Sequence, residues 1–453
     1  MAPTILHKDL TDLGDIQYIH FHWTDLSGVL RARVLPRASC ETMIMNGQVL
    51  RVGPGAVMGH GLDISDLPEW FVPGGCDSVI PDWTSCRMLN DYTASVMCNV
   101  SEVHASHLDA DPLHPLLRCP RNTLQRVVER ASTDFELSAL VGFELEFYLL
   151  RTVQVEAPEV RLPAHNHWSA ASSLRSDLGL CLHECVSRLN KCGLEVYQFH
   201  AECGSQQYEI SLQPRSPIEA VDDMLRAKEI IKRTASERSL HATFSPKPVL
   251  ALPPSGLHTH ISIRHNAKQT DTTVPLAKEE HFLAGVLQFL TLLCAISMPS
   301  AESYERVSHF NIGRLVGWGT GNRDLPIRKI APGHWEVRTF DATCNVYLSL
   351  AAYLAAGLIG IEDQQELTLK DCRVATCRFN GESLKEFGMV DFMPRTLEEA
   401  LFAKVLETDK YKSLNRFLGE KILLLHAAVK KKEANVLASL SEADRKALMI
   451  EEF

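Results

Sequence analysis

Acidic residues and histidines in this chain recur at a spacing of two residues within apolar segments. In VGFELEFYLL, Glu144 and Glu146 alternate with bulky apolar residues, and His258 and His260 do the same further along the chain. Because strand side chains alternate between two faces, each pair shares one face if its segment is a strand. Two adjacent carboxylates repel each other, so a solvated strand face is the alternative for the first pair taken alone.

A third pair of the same kind occurs in GHWEVRTF. Glu336 and Arg338 share one face of a predicted strand, and Trp335 and Val337 lie on the other. Three polar pairs in otherwise apolar segments favour a polar interior inside a curved sheet or barrel. Carboxylates clustered inside a fold need cations to balance their charge.

Further acidic residues lie between the first two pairs. The segment HAECGSQQYEI contains Glu202 and Glu209, and His200 lies on the same predicted strand face as Glu202. Carboxylate oxygens suit Mg²⁺ or Mn²⁺, whereas the thiolates typical of structural zinc are missing from this set. The predicted cation ligands are five carboxylates and one histidine: Glu144, Glu146, Glu202, Glu209, His258 and Glu336.

Arginines gather in one region of the chain, namely Arg306, Arg323, Arg328 and Arg338. For any single arginine a surface ion pair is the common alternative. Guanidinium groups bind phosphate and carboxylate through paired donors, and arginines beside carboxylate-held cations are typical of phosphoryl transfer. The chain has no G-x-x-x-x-G-K-[ST] sequence, so nucleotide binding would not use a P-loop, and Gly317–Asn322 is interpreted as a turn.

The composition is that of a globular protein with a sizeable core. The chain has 453 residues, of which 45% are hydrophobic and 23% charged, enough for more than one domain. A net charge of -10 with dispersed basic residues argues against nucleic-acid binding. The N-terminus lacks an apolar signal core, and the most apolar segment, 282–298, is short and interrupted by polar residues. We therefore expect a cytoplasmic protein with a buried helix there and no membrane span.

Thirteen cysteines in a chain without a secretion signal indicate reduced thiols rather than a disulfide framework. Cys181, His183 and Cys185 have the spacing of a zinc corner. They lie in a segment with helical periodicity, and no second Cys/His pair occurs at a matching distance, so we do not expect zinc there.

The predicted elements that position these residues divide the chain into two domains. Short β-like runs alternate with Gly/Pro-rich loops such as 51–61, which predicts a small β-rich domain over residues 1–111. Strands then alternate irregularly with long helices, which predicts an α+β domain over residues 112–453. Helices are predicted at 345–362 and, after a T-x-x-E capping box that begins at Thr396, over the C-terminal segment.

The order of the motifs resembles the glutamine synthetase family over nearly the whole chain, from about Trp23 to the C-terminal helices. Each motif is modest alone, but six of them in the family order are specific. They are WTDLSGVLR, GFELEF, HAE-x6-E, PKP followed by SGLHTH, NR-x4-R, and WEVR-x-FDA-x-x-N-x-YL. This set of motifs resembles the bacterial-type and fungal glutamine-synthetase-like proteins more closely than the compact eukaryotic enzyme.

The resemblance implies two or more Mg²⁺ or Mn²⁺ ions per active site, together with ATP. The family's ligands for the cation that holds the ATP phosphates correspond to Glu144, His258 and Glu336. The ligands for the second cation correspond to Glu146, Glu202 and Glu209. All six ligand types are retained.

The resemblance also implies residues that bind the substrates. Arg323 and Arg328 match phosphate-contacting arginines. Arg306 and Arg338 match residues that bind the glutamate carboxylates, and Arg338 also faces the transferred phosphoryl group, so Arg323 and Arg338 are the implied catalytic residues. The positions that line the nucleotide correspond to His200, His260 and Ser262.

The implied reaction is ATP-dependent ligation of a carboxylate, such as that of glutamate, to ammonia or a larger amine. The carboxylate attacks the γ-phosphate of ATP, and the amine displaces phosphate from the resulting acyl phosphate. The implied fold pairs an N-terminal β-grasp domain with a catalytic domain whose curved antiparallel sheet forms a funnel flanked by helices. Active sites between subunits of stacked rings imply a large homo-oligomer.

The chain departs from the family pattern on the substrate side. Pro253 and Pro254 stand where the family has Asn-Gly, so a backbone donor to the substrate is lost. Between Arg306 and Asp324 there is no acid to deprotonate an ammonium ion, and His309 is either a substitute base or an ordinary polar loop residue.

A further departure occurs between two of the predicted ligands, where the usual Pro-Gly-Gln reads Ser205, Gln206 and Gln207. The changes predict an amine larger than ammonia or an acid other than glutamate. Two alternatives remain open: a catalytically inactive structural or regulatory homologue, and a metal-dependent hydrolase that uses the same ligands to activate water.

Overall fold

The computed structural model describes residues 15–59, 75–102, 118–151, 168–266, 274–308, 311–401 and 409–453. The predicted domain boundary near residue 112 and the candidate base His309 lie outside the described residues.

A five-stranded sheet forms the N-terminal part. Its order is β2-β1-β5-β4-β3, with β1 and β5 parallel and the other neighbours antiparallel. Ile19, Phe21 and Val96 are fully buried and pack against Cys40 of helix α1. The predicted β-rich character is confirmed, but a short helix, α2, forms where the sequence predicted only a loop. The elements are Tyr18–Thr24 (β1), Leu30–Pro36 (β2), Arg37–Met45 (α1), Leu50–Val52 (β3), Gly55–Met58 (α2), Asp77–Asn90 (β4) and Thr93–Glu102 (β5).

A second, curled sheet of eight strands follows. Its order is β11-β12-β13-β10-β6-β8-β7, and β9 also pairs with β6. Neighbouring strands in this sheet run antiparallel, except that β11 and β12 run parallel to each other. The strands are Leu137–Arg151 (β6), Val196–Ala201 (β7), Gln207–Leu212 (β8), Leu240–Thr243 (β9), Leu257–His265 (β10), Trp318–Thr320 (β11), Ile327–Ala331 (β12) and His334–Val337 (β13). Half of the segment interpreted as a turn, Gly317–Asn322, is therefore strand β11, and the turn itself is at Gly321.

Helices flank this sheet, so the predicted α+β class is confirmed. The helices are Pro120–Phe135 (α3), Asp177–Lys191 (α4), Pro217–Glu237 (α5), Leu276–Ser297 (α6), Val346–Glu362 (α7), Gly381–Phe387 (α8), Leu397–Leu401 (α9), Asp409–Leu418 (α10), Glu420–Ser439 (α11) and Glu442–Glu452 (α12), with 3-10 turns at Ser173–Arg175, Glu302–Arg306 and Thr376–Arg378. The predicted helical C-terminal segment is confirmed where the structure describes it, and Thr396 Oγ1 accepts from Glu399 N at 3.1 Å as its cap.

Two apolar helices, α6 and α7, pack together in the core. A Cβ on Gly285 would lie 2.3 Å from the carbonyl oxygen of Ala356, and one on Gly360 would lie 2.1 Å from that of His281. Both positions therefore require glycine for the close approach of the helices. Helix α6 is long and apolar enough to cross a membrane, but 72% of its most apolar window is buried inside the protein, as predicted for a core helix.

Buried ion pairs join the N-terminal sheet to the helices. Arg121, at the start of α3, donates to Asp222 of α5 at 2.9 Å and to Asp82 of β4 at 2.7 Å. Arg226 of α5 donates from Nε to Ser95 Oγ of β5 at 3.0 Å. These contacts set the position of the N-terminal sheet relative to the helices behind the second sheet.

The suggested zinc corner lies on helix α4. Cys181 and Cys185 are buried one turn apart, whereas His183 is exposed and packs edge-on against Phe199. Its ring therefore points away from the two thiols. None of the thirteen cysteines, all of which lie in the described residues, forms a disulfide, as the sequence predicted.

Candidate functional site

Three neighbouring strands, β6, β10 and β13, carry the first group of predicted ligands. β10 lies between the other two, with His258 opposite Glu144 of β6 and His260 opposite Glu336 of β13. The alternation of side chains along each strand brings these residues to one face of the sheet, as predicted. Arg328 of β12 lies opposite Glu336 and extends the polar face by one strand.

The ligand atoms of Glu144, His258 and Glu336 all lie within 4.8 Å of one another. His258 Nδ1 lies 3.2 Å from Glu144 Oε2, 3.6 Å from Glu336 Oε1 and 3.5 Å from Glu146 Oε1. Glu336 is fully buried and His258 nearly so. The geometry matches the first predicted ligand set.

A second group lies on β7, β8 and the turn between them. His200, Glu202 and Glu209 offer ligand atoms within 4.8 Å of one another. His200 Nε2 lies 3.4 Å from Glu209 Oε1, and its Nδ1 lies 3.7 Å from Glu202 Oε1. His200, predicted to line the nucleotide, thus joins the two acidic residues.

Glu146, predicted as a ligand of the second cation, lies between the two groups. It faces Glu209 across the ladder of β6 and β8. Its Oε2 accepts from Gly256 N at 2.8 Å, and its Oε1 is 3.5 Å from His258 Nδ1. The six predicted ligands and His200 therefore form one continuous polar cluster.

The charges in this cluster are unevenly balanced. Burial raises the pKa of Glu146, Glu202 and Glu209 above the ordinary carboxylate value, and the proximity of Glu209 raises that of Glu202 further. A hydrogen bond with Glu209 raises the pKa of His200 to about 9. The three carboxylates are thus short of positive charge.

Glu144 and Glu336 are better compensated. Burial favours their neutral forms, but hydrogen bonds from His258 and His260 outweigh this effect and lower the pKa of Glu144. The charges of Arg338 and His258 together likewise outweigh burial and lower the pKa of Glu336 to about 2. Five buried or half-buried carboxylates with nearby imidazoles are a donor set that fits divalent cations.

Arginines lie on the first group's side of the cluster. Arg338 donates to Glu336 Oε1, and Arg328 donates to Glu336 Oε2 at 2.7 Å. Arg306 Nη2 donates to Arg338 O at 2.8 Å, and its Nη1 is 3.5 Å from Asp341 Oδ2. Among the described residues, Arg328 Nε and Arg338 Nε are buried without a hydrogen-bond partner, and Arg306 Nη1 has only the ion pair with Asp341. Unpaired buried guanidinium donors beside carboxylates favour an anionic ligand.

Two other predicted site residues are less closely connected to the cluster. Ser262 lies on β10, two residues beyond His260 on the same face. Arg323 is exposed in the turn after β11, and the structure does not bring it into the hydrogen-bonded network of the described cluster.

Sequence reasoning missed residues that support the site. His334 Nε2 lies 2.9 Å from His260 Nδ1, and Gly256 allows a close approach, since a Cβ there would lie 2.7 Å from Arg306 Nη2. His334 could have been found from the alternation along β13, because it lies two residues before Glu336 and so on the same face. Trp168, which donates to Glu202 Oε1 at 3.3 Å, carries no such pattern.

Two side chains donate hydrogen bonds to the carbonyl groups of Pro253 and Pro254. Tyr148 Oη donates to Pro253 O at 2.7 Å, and Gln207 Nε2 donates to Pro254 O at 3.0 Å. Gln207 also donates to Ser255 Oγ at 3.1 Å. Two of the sequence departures, the proline pair and the Ser-Gln-Gln turn, are therefore in direct contact.

The motif order, the curled sheet and the polar cluster all agree with the family comparison. The model of the glutamine synthetase catalytic domain matches residues 117–446. This chain belongs to the glutamine synthetase family. Protein fluG of Emericella nidulans is 32% identical over 100% of this chain and 50% of its own length. This glutamine synthetase family member thus spans half the length of that relative.

Other glutamine synthetase relatives match over most of both chains. A glutamine synthetase of Staphylococcus epidermidis is 27% identical over 90% of this chain and 89% of its own. A solved structure described as a GmaS/ADP complex has a TM-score of 0.79 at 23% identity, covering 96% of this chain and 97% of that one. A structure described as a novel glutamine synthase homolog has a TM-score of 0.76 at 26% identity, covering 97% and 99%. These structures share the fold.

Proposed function

We propose that this glutamine synthetase family member is an ATP- and Mg²⁺-dependent carboxylate–amine ligase that forms an amide through an acyl phosphate. The observation that carries the proposal is one sheet face holding two adjoining groups of cation ligands beside buried arginines with unpaired donors. Cations would balance the acidic cluster, and the guanidinium nitrogens without a hydrogen-bond partner would bind anions. A carboxylate and a nucleoside triphosphate are both anionic substrates that such donors bind.

The cation ligands are Glu144, His258 and Glu336 in one position and Glu202 and Glu209 in the other, with Glu146 between them. Mn²⁺ would also suit these ligands. Bound there, the cations would supply charge neutralisation for the phosphates of ATP. Two cations and their shared acidic residues would also bring the nucleotide close to the carboxylate substrate.

The arginines divide between the two anions. Arg306 and Arg338 hold the substrate carboxylates, because both are buried and their unpaired donors lie beside the first ligand group. Arg328 contacts the phosphates, and Arg323, exposed in its turn, would reach them only in the bound state. Arg338 and Arg323 then face the transferred phosphoryl group, while His200, His260 and Ser262 lie nearer the nucleotide.

The acid is glutamate or a related carboxylate, and the amine is ammonia or a larger amine. Prolines at 253 and 254 cannot donate to an amino acid backbone, and their carbonyl groups are already held by Tyr148 and Gln207. The segment between Arg306 and Asp324 contains no acid to accept a proton from ammonium. The first feature supports an acid other than glutamate, and the second supports an amine other than ammonia.

The proposal includes a cytoplasmic location and assembly into a large homo-oligomer of stacked rings with active sites between subunits. Thirteen cysteines without a disulfide among them suit a reducing compartment. The domain division, with a β-grasp domain over 1–111 and the catalytic domain over 112–453, is part of the same proposal. Sedimentation velocity on the purified chain would measure the subunit number.

ADP release tests the proposed activity, measured with Mg²⁺ across a panel of acids combined with ammonia, alkylamines and amino acids. We expect ADP release to need both an acid and an amine. In Glu202→Gln the rate should fall at least tenfold, roughly the scale of mutations at cation sites. Glu280→Gln, an exposed acid on helix α6, is the matched control.

Two other results would contradict the ligase. ATP binding without turnover under every combination would indicate the inactive homologue, and ATP-independent product formation would indicate the hydrolase.

A further inference from the structure

His334 has no part in the proposed chemistry, yet it lies within the cluster. It is the first residue of β13 and shares a face with Glu336, two residues on. In the sheet register it lies opposite Ser262 of β10. Its ring therefore approaches His260 diagonally, with ring centroids 5.2 Å apart.

The contact between the two rings is a hydrogen bond and not only ring packing. His260 Nδ1 and His334 Nε2 are 2.9 Å apart, which is a hydrogen-bond distance between nitrogens. A pair of imidazole nitrogens at this distance must share one proton, so one nitrogen donates and the other accepts.

The other nitrogen of His260 determines the direction of that bond. His260 Nε2 lies 3.1 Å from Glu144 Oε1, and a carboxylate oxygen can only accept. In the neutral His260 ring, Nε2 therefore carries the proton and Nδ1 accepts one from His334 Nε2. The result is a chain of two hydrogen bonds from His334 through His260 to Glu144.

The chain holds one oxygen of a predicted cation ligand. Glu144 Oε1 accepts from His260, and Glu144 Oε2, 3.2 Å from His258 Nδ1, faces the first ligand group. Residues that hydrogen-bond to a metal ligand fix its orientation and often change metal affinity strongly when removed.

We infer that His334 is a positioning residue, which holds His260 in the ring form that donates to Glu144 and thereby orients Glu144 as a cation ligand. The inference rests on the cation sites of the proposed function. Removing His334 leaves Nδ1 of His260 without its donor, so only the bond to Glu144 still favours the ring form with the proton on Nε2, and the other form becomes more available. In that form Nε2 has no proton for Glu144, and the carboxylate keeps only its contact with His258.

The test is Mn²⁺ binding by calorimetry on the full chain without nucleotide, so that no turnover is needed. Wild type should bind two equivalents. In His334→Phe we expect one of the two to weaken by about 10- to 100-fold, the range seen when such supporting residues are changed. His334→Gln, whose amide can still donate to His260, should restore most of the affinity.

A general structural defect would not separate the two equivalents. His265→Phe is the matched control, because His265 lies at the far end of the same strand β10, where it approaches the exposed Glu136. This variant should bind Mn²⁺ as wild type does. If His334→Phe does not fold by circular dichroism, His334→Ala removes the same donor.

Equal affinity of wild type and the folded donor-less variant would overturn the inference and leave the proposed function in place. Weakening by His334→Gln as large as that by His334→Phe would overturn it as well. A wild-type chain that binds no Mn²⁺ would overturn both this inference and the proposed cation sites.

Discussion

At the scale of single residues, the site is defined by carboxylates that lack compensating charge. Burial raises the pKa of Glu146, Glu202 and Glu209, whereas Arg338 and the two histidines hold Glu336 and Glu144 ionised. The cluster thus has acids of two kinds on one surface. Those with raised pKa are the ones that gain most from a bound cation.

This difference predicts a pH-dependent effect of Mg²⁺ on stability. A carboxyl group with a raised pKa in the folded state favours folding below that pKa, and the contribution is lost as the pH rises through it. A cation binds the ionised form and reverses the loss. We therefore expect the gain in Tm from MgCl₂ to grow between about pH 5 and about pH 8.

Scanning fluorimetry with MgCl₂, against NaCl at equal ionic strength, measures this gain. A gain that stays constant or shrinks with rising pH would contradict the assignment of these carboxylates as ligands.

At the scale of elements, the turn between β7 and β8 carries a residue in an unfavourable conformation. Gln206 has a φ of 68°, in the left-handed region where a Cβ is disfavoured. The turn is nonetheless held in place, because its carbonyl accepts from Leu149 N at 3.0 Å and Gln207 bonds to the proline loop.

Replacing Gln206 with glycine should relieve this strain. We expect Gln206→Gly to raise the free energy of unfolding by up to about 1 kcal/mol, since the left-handed conformation costs about 1–2 kcal/mol and glycine loses more chain entropy. Urea denaturation measures the change. Gln206→Ala keeps a Cβ and should bring no gain; equal effects of the two substitutions would show that φ is not the cause.

The loop before β10 depends on a glycine for a different reason. A Cβ at Gly256 would lie 2.7 Å from Arg306 Nη2 and 2.8 Å from His258 Nε2. Gly256→Ala should therefore displace an arginine and a cation ligand together, and we expect kcat/KM to fall by about 100-fold, as for misplacements of about 1 Å.

The assay is the steady-state rate of ADP release. Gly53→Ala, where a Cβ would meet nothing within 4 Å, should retain full activity. Wild-type kinetics in Gly256→Ala would mean that Arg306 and His258 do not bind substrate or cation from their present positions.

At the scale of the whole molecule, one arginine joins three elements. Arg121 is nearly fully buried and bonds to Asp222 of α5 and Asp82 of β4. Tyr347 of α7 also donates to Asp222 Oδ1 at 2.5 Å. The N-terminal sheet is therefore tied to the helices through a charged group that cannot be solvated.

Arg121→Leu should destabilise the chain by about 3–5 kcal/mol, because it leaves a buried carboxylate without its partner. Arg373→Leu removes the ion pair that the exposed Arg373 makes with Asp371. This variant should lose less than about 1 kcal/mol of stability. Thermal and urea unfolding of both variants provide the comparison, and similar losses would show that burial does not decide the strength of the pair.

The sequence by itself determined which side chains form the polar face. Alternation along a strand is a local property, so the spacing of Glu144, Glu146, His258 and Glu336 was enough to assign them to shared faces. Local patterns also predicted helix α7 and the C-terminal helices, since their apolar periodicity and caps are short-range.

Only the tertiary structure decided which of these residues meet. The placement of His200 beside Glu209, the position of Glu146 between the two groups, and the bond from His334 to His260 all depend on strand order and register. Register is set by pairing between segments far apart in the chain, and a shift of one residue would reverse every face. The local pattern gives the face on which a side chain lies, but not the partner that it meets on the neighbouring strand.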